Sequence, residues 1–257
     1  MTEPGRLAAQ FETLPVGVAV LGEIAQGLLV HGDWLPAYGL EPAAIASISR
    51  TTLPVSVRLG AIVEADALPL AEARPASRRS VGTCRDFALT LTSFLRSTGT
   101  PARIRCGFAA YLVEGWEDHW ICEYWDCNKS EWRRSDPQLD GVTRAACNVT
   151  FDPSDMPGEV FLTAGEAWLR CRTGKDSPER FGQGNARGLW FMKVNLIRDN
   201  YAVNNRETSA WDRWREAPAE HRIVTPEELP KLDDLANQPE ASPDAFKPSC
   251  LGAYSRF

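Results

Sequence analysis

Apolar positions change period twice along the chain, and the changes divide it. From Val16 to His31 they recur at three- and four-residue steps, the spacing of one helical face, weakened by Gly17, Gly22 and Gly27. Residues 7–50 read as mostly helical, broken at Pro36 and the turn-like AYGLEP, and a second helix is predicted over Val55 to Ala67. LPLAEARPASRRS then reads as a loop, with two prolines and no sustained period. Thr83 is a helix cap with Asp86 three residues on, a capping box with Asp in place of the usual Glu. Phe87, Leu91, Phe94 and Leu95 follow on one face, and the SxGTP stretch from Ser97 stops that helix.

From Ala102 to Leu112 the period falls to two, with Ile104, Cys106, Phe108, Ala110 and Leu112 on a common face. Further strands are predicted around His119 to Trp125 and over Trp132 to Ser135. Residues 160–215 turn helical again around a Gly-rich interruption, RFGQGNARG, and GLWFMKVNLIRDNYAV is the clearest helix there. TPEELPKLDDLA is predicted to form a last short helix, with Thr225 as cap and Pro226 at its first position. Helix followed by closely spaced strands predicts an α+β fold, an antiparallel sheet packed on a cysteine-bearing helix with additional helices. The expected organisation is one domain over 1–257, with its core at 80–155 and helical flanks at 1–79 and 160–240.

Composition narrows the function classes. With 44% hydrophobic and 24% charged residues the chain can bury a core without metal or disulfide staples. The formal charge is -6 and no Lys/Arg run is long enough to track phosphates, so nucleic acid is not an expected partner. The longest apolar stretch, LPVGVAVLGEIAQGLLV, is too broken for a membrane span, and no leader pattern precedes it; a cytoplasmic protein with no membrane partner is expected. The chain has 7 cysteines, an odd number without a CxxC, which argues against a disulfide framework. No Cys/His spacing suits a metal, RFGQGNARG is not followed by GKS or GKT as a phosphate loop would be, and no cofactor is expected.

Cys84 stands where chemistry is favoured. A helix start offers unpaired N–H groups and the positive end of the dipole, which stabilise a thiolate. The alternative is a buried, inert thiol. A nucleophilic cysteine needs a base, and the chain has three histidines. His31 reads as a helix-end or packing residue and His221 as exposed near the chain end, whereas His119 opens a strand among aromatic neighbours in EDHWICEYWD. Asp136, beyond the turn at DCNKSE, is placed to orient the imidazole; Asp126 and Asp152 are its rivals, each in a turn-like setting.

Three pieces together resemble the transglutaminase-like superfamily over Ser80 to Gln138. GTCRDFALTLTSFLRSTGTPARIRCGF is similar to that family's nucleophile helix and following strand, DHWICE to its histidine strand with Glu123 four residues beyond His119, and WRRSDP to its Trp-x-x-x-Asp-Pro element. The chain departs from the pattern after the histidine, where a small residue then Trp is common; here Trp120 is immediate and Ile121 follows. The resemblance implies a papain-like active-site arrangement and a Cys-His-Asp triad at Cys84, His119 and Asp136. It implies acyl transfer or hydrolysis at an amide through a thioester, with water or an amine as acceptor; a small peptide or amide-containing metabolite is expected as donor because no export pattern is seen, not because of the resemblance. Trp34 and Trp120 are candidate side chains for contact with substrate or oxyanion. Two readings stand beside it: a noncatalytic ligand- or protein-binding domain that keeps the fold, and a disulfide enzyme pairing Cys84 with Cys106.

Overall fold

The computed structural model describes residues 1–41, 52, 54–206, 208, 220, 222–238 and 242–246. His221 and Cys250, and much of the helical reading beyond residue 41 and after residue 206, lie outside the described residues. In chain order the elements are α1 (Ala8–Phe11), α2 (Val18–Leu28), β1 (Leu29–His31), a 3-10 segment Gly32–Tyr38, α3 (Val55–Ala65), β2 (Ser80–Gly82), α4 (Cys84–Ser97), β3 (Ala102–Ala109), β4 (Trp116–Asp126), β5 (Glu131–Ser135), α5 (Gly141–Ala146), β6 (Phe161–Thr163), α6 (Ala164–Arg172), β7 (Phe181–Gln183), β8 (Ala186–Arg187), α7 (Leu189–Val203) and α8 (Leu229–Ala236). The fold is α+β. No helix among the described residues is long and apolar enough to cross a membrane.

The sheet is mixed, not antiparallel throughout as the hairpin spacing predicts. β3 and β4 pair antiparallel, as do β4 and β5, but β7 pairs parallel with β4 at Trp116↔Phe181 and Glu117↔Gly182. The long β4 gives its first residues to β7 and its last, from Cys122 to Asp126, to β5. β1 and β2 form a separate parallel pair, Leu29↔Ser80 through His31↔Gly82. Local patterning reveals only neighbours joined by a tight turn. Three-residue strands brought together from distant parts of the chain leave no such trace, so neither flank is purely helical: β1 lies in the first, and β6, β7 and β8 in the second.

Two element limits also move for identifiable reasons. β3 ends at Ala109, short of Leu112, because the chain must turn to set Glu117 opposite Ala109. The last helix starts at Leu229 rather than Pro226, after a turn in which Glu228 N–H donates to the Thr225 carbonyl. A start at Pro226 would place Pro230 beyond the first turn, where its missing N–H breaks a helical bond; the observed start leaves Pro230 in the tolerated first turn.

α4 is the central helix. Its apolar residues Phe87, Ala88, Leu91, Phe94 and Leu95 join Ile104, Cys106, Trp120 and Cys122 of β3 and β4, with Leu21, Ala25 and Leu28 of α2, in one core cluster. Every residue from Arg85 to Leu95 is buried, polar ones included. The polar face therefore needs partners: Ser93 donates to the Thr2 carbonyl and Thr92 to Cys122 Sγ.

β3 is buried on both faces, so Arg103 and Arg105, which strict alternation would send to water, are interior charges. Arg103 Nη2 lies 2.7 Å and Arg105 Nη1 2.8 Å from Glu123 Oε2 of β4, and Arg134 Nε of β5 lies 3.2 Å from Glu123 Oε1. Burial pushes the Glu123 carboxyl up, but Arg105, Arg103 and Arg134 outweigh it and hold it down at about 2. Arg103 also stacks on Trp132, 4.0 Å from the ring centroid. β6 pairs with β3 only over Gly107–Ala109. Beyond it Asp199 of α7 closes the open edge, accepting from Cys106 N–H at 2.9 Å and pairing with Arg105 through both carboxylate oxygens.

Candidate active site

Cys84 is the first residue of α4, and the chain leading into it is fixed by charge and close packing. Thr83 is the extended cap; its N–H donates to Asp86 Oδ2 at 2.9 Å, completing the predicted box. Asp86 is held in turn by Arg85, 2.6 Å away, and Arg58 of α3, 3.3 Å away. Arg58 also donates to the Val81 carbonyl at 2.8 Å, so one guanidinium links the cap to β2. A Cβ at Gly82 would lie 3.1 Å from the Asp86 side chain, which is why the approach carries no side chain there.

His119 sits on β4 opposite Gly107 of β3 and is 1% exposed. The β4–β5 hairpin, in the register Cys122↔Ser135, returns the chain so that Asp136 follows directly on β5. Asp136 Oδ2 then lies 2.8 Å from His119 Nε2. Asp136 is fully buried and saturated with donors: Tyr111 Oη donates to Oδ2 at 2.6 Å and Gln138 N–H to Oδ1 at 2.9 Å. The two rival aspartates serve turns, Asp126 accepting from Asn128 N–H and Asp152 from Ser154 N–H.

Burial pulls the His119 imidazolium down, but the charge and hydrogen bond of Asp136, joined by Cys84, outweigh it and push His119 up to about 10. With Nε2 on Asp136, Nδ1 is the ring nitrogen left for the cysteine. Cys84 and His119 line the same cavity, of about 270 Å³. Cys84 and Cys106 are both free thiols, and burial pushes Cys106 well above the usual thiol range.

Tyr111 belongs to no sequence motif. Its ring meets His119 edge-on, centroids 5.9 Å apart, and Phe151 backs it at 5.3 Å. Burial and the Asp136 charge hold its phenol protonated. Tyr111→Phe removes one donor from a buried carboxylate, and a loss of about 1.5–3 kcal/mol in urea unfolding is expected.

The cavity wall draws on distant segments: His31, Asp33 and Trp34 after β1, Leu112 and Val113 between β3 and β4, Glu117, Asp118 and Trp120 on β4, Gln138, and Gln183 on β7. His31 is a helix-end residue, the cap of the 3-10 segment, and it also reaches the cleft. The parallel β1–β2 pairing sets it beside Gly82 at the cleft, its Nδ1 accepting from Asp33 N–H at 3.2 Å. Trp34, in the 3-10 segment, and Trp120 both reach the cavity wall. Trp120 is otherwise a core residue, 1% exposed, and its Nε1 has no hydrogen-bond partner. Among the described residues no group of His, Cys, Asp and Glu is arranged to hold a metal ion.

Residues 64–137 match the family model described as the transglutaminase-like superfamily. This segment is similar to a transglutaminase-like core. The match begins near the end of α3, runs through α4, β3, β4 and β5, and takes in Cys84, His119 and Asp136. Within the match α4 packs on the antiparallel strands β3, β4 and β5, an α+β arrangement consistent with that core. No curated protein and no solved structure matches the chain.

Proposed function

We propose that the transglutaminase-like core is a Cys-His-Asp enzyme that breaks or exchanges an amide bond of a small peptide or metabolite through a thioester. The observation that carries this reading is the buried His119, bound to Asp136 at 2.8 Å on one side and sharing a cavity with Cys84 on the other. A cationic imidazole and the α4 N-terminus both favour a sulfur anion at Cys84. The thiolate attacks the amide carbonyl carbon, forming a C–S bond and an oxyanion. Backbone N–H of Cys84 stabilises that oxygen, with the indole of Trp34 or Trp120 as the second donor. As the tetrahedral centre collapses, the C–N bond breaks and His119 gives its proton to the leaving amine. Water, or a second amine, then attacks the thioester while His119 takes its proton, and Cys84 leaves as thiolate. Asp136 keeps the ring oriented throughout. In this reading the whole chain works as one domain, the flanks lending His31, Trp34 and Gln183 to the cleft.

The contrasting reading is a binding domain whose cysteine has no task. Iodoacetamide near neutral pH separates the two. Cys84 should be alkylated before the exposed Cys127, and His119→Ala should slow that reaction about tenfold or more. Alkylation of Cys84 no faster than Cys127, unchanged in the His119 variant, supports the binding domain instead.

A further inference from the structure

We infer that Gln138 accepts a hydrogen bond from an N–H of the acyl donor, so that the cleft prefers amides to esters; this rests on the acyl-transfer reading above. Gln138 is 3% exposed and lines the cavity with Cys84 and His119. Its backbone is held on both sides: N–H donates to Asp136 Oδ1 at 2.9 Å, while its carbonyl accepts from Asp140 N–H at 2.9 Å and Thr143 Oγ1 at 3.0 Å. The side chain is thereby registered to the carboxylate that binds His119. Yet its Oε1 is buried without a hydrogen-bond partner.

Folded proteins rarely leave a buried acceptor unpaired, and those they do leave call for a specific explanation. The cavity wall holds two such atoms, Gln138 Oε1 and Trp120 Nε1, one acceptor and one donor. An amide offers the complement of both, a carbonyl oxygen and an N–H. An ester offers only the carbonyl, and leaves Oε1 unpaired when it fills the cleft. A pocket with a buried polar group discriminates strongly against a ligand that cannot satisfy it.

The test compares N-methyl-2-iodoacetamide with methyl iodoacetate, which differ at one position, N–H against O. Each rate at Cys84 is divided by the rate with glutathione to remove intrinsic reactivity. The expected result is a preference for the amide reagent of about tenfold in the wild type. Gln138→Ala should abolish that preference while Cys84 remains faster than Cys127 and the far-UV spectrum is unchanged. Gln138→Glu, which keeps an acceptor oxygen at the position, should retain it. A wild type with no amide preference, an Ala variant that keeps it, or a Glu variant that loses it as Ala does overturns the assignment while leaving the acyl-transfer reading standing. Cys84 reacting no faster than Cys127 with either reagent overturns both.

Discussion

Asp136→Asn is expected to slow acylation of Cys84 by about 10³–10⁴-fold. The side chain keeps its size but reverses one hydrogen bond. Its amide N–H2, turned toward His119, makes Nε2 an acceptor and leaves the proton on Nδ1, where it faces the sulfur and blocks proton transfer from it. The charge that holds His119 up at about 10 is also lost. Cys84 alone is then left to oppose burial, and His119 should titrate well below about 10. The imidazole resonances report this directly, since the chain has three histidines and His119→Ala assigns the signal. A His119 that titrates at the same pH in both proteins would show that Asp136 does not control it. The sign carries over to stability. A raised folded value means that the His119–Asp136 pair stabilises the fold fully below pH 6.5 and loses that contribution as pH rises through about 10.

Glu123→Ala is expected to lower unfolding free energy by about 3–5 kcal/mol, measured by urea denaturation. Three guanidiniums converge on this carboxylate, at 2.7, 2.8 and 3.2 Å, and Arg103 and Arg105 are interior. Removing it takes from these two interior guanidiniums the carboxylate they share, while Arg105 keeps its pair with Asp199. Glu131 supplies the control: its ion pair with Arg133 is at the surface, and Glu131→Ala should cost less than about 1 kcal/mol. Equal effects from the two variants would contradict the network. The depressed carboxyl fixes the acid limb as well. Its contribution is complete above pH 4.5 and disappears as pH falls through about 2.

What the sequence disclosed follows the reach of its signals. The cap at Thr83, the helix from Cys84, the strands around His119 and Trp132 and the helix from Leu189 are all local patterns, and all are present. Asp136 could be set above Asp126 and Asp152 because a hairpin returns the chain to its starting strand, and its side chain is the one that meets His119. The wall of the cleft was less legible. His31 reaches it through a parallel pairing between segments far apart in the chain, and Gln183 through a three-residue strand with no periodicity of its own. Tyr111 lies past the end of β3 in a connection whose shape depends on the β3–β4 register. Arg103 and Arg105 look like the solvent face of a strand; only the acids brought by β4 and α7 make their burial tenable. Gln138 lies two residues beyond Asp136, and nothing local distinguishes it from an ordinary turn residue.

The central claim is that Cys84 carries an acyl group during turnover. Incubating the protein with a mixed pool of small peptides and amide metabolites, quenching in acid and weighing the intact chain tests it most directly. The account predicts an adduct on the Cys84 peptide that neutral hydroxylamine removes, as it does a thioester, and that Cys84→Ser does not form under the same conditions. A chain whose mass never changes across such pools, or an adduct on Cys84 that resists hydroxylamine, would contradict it.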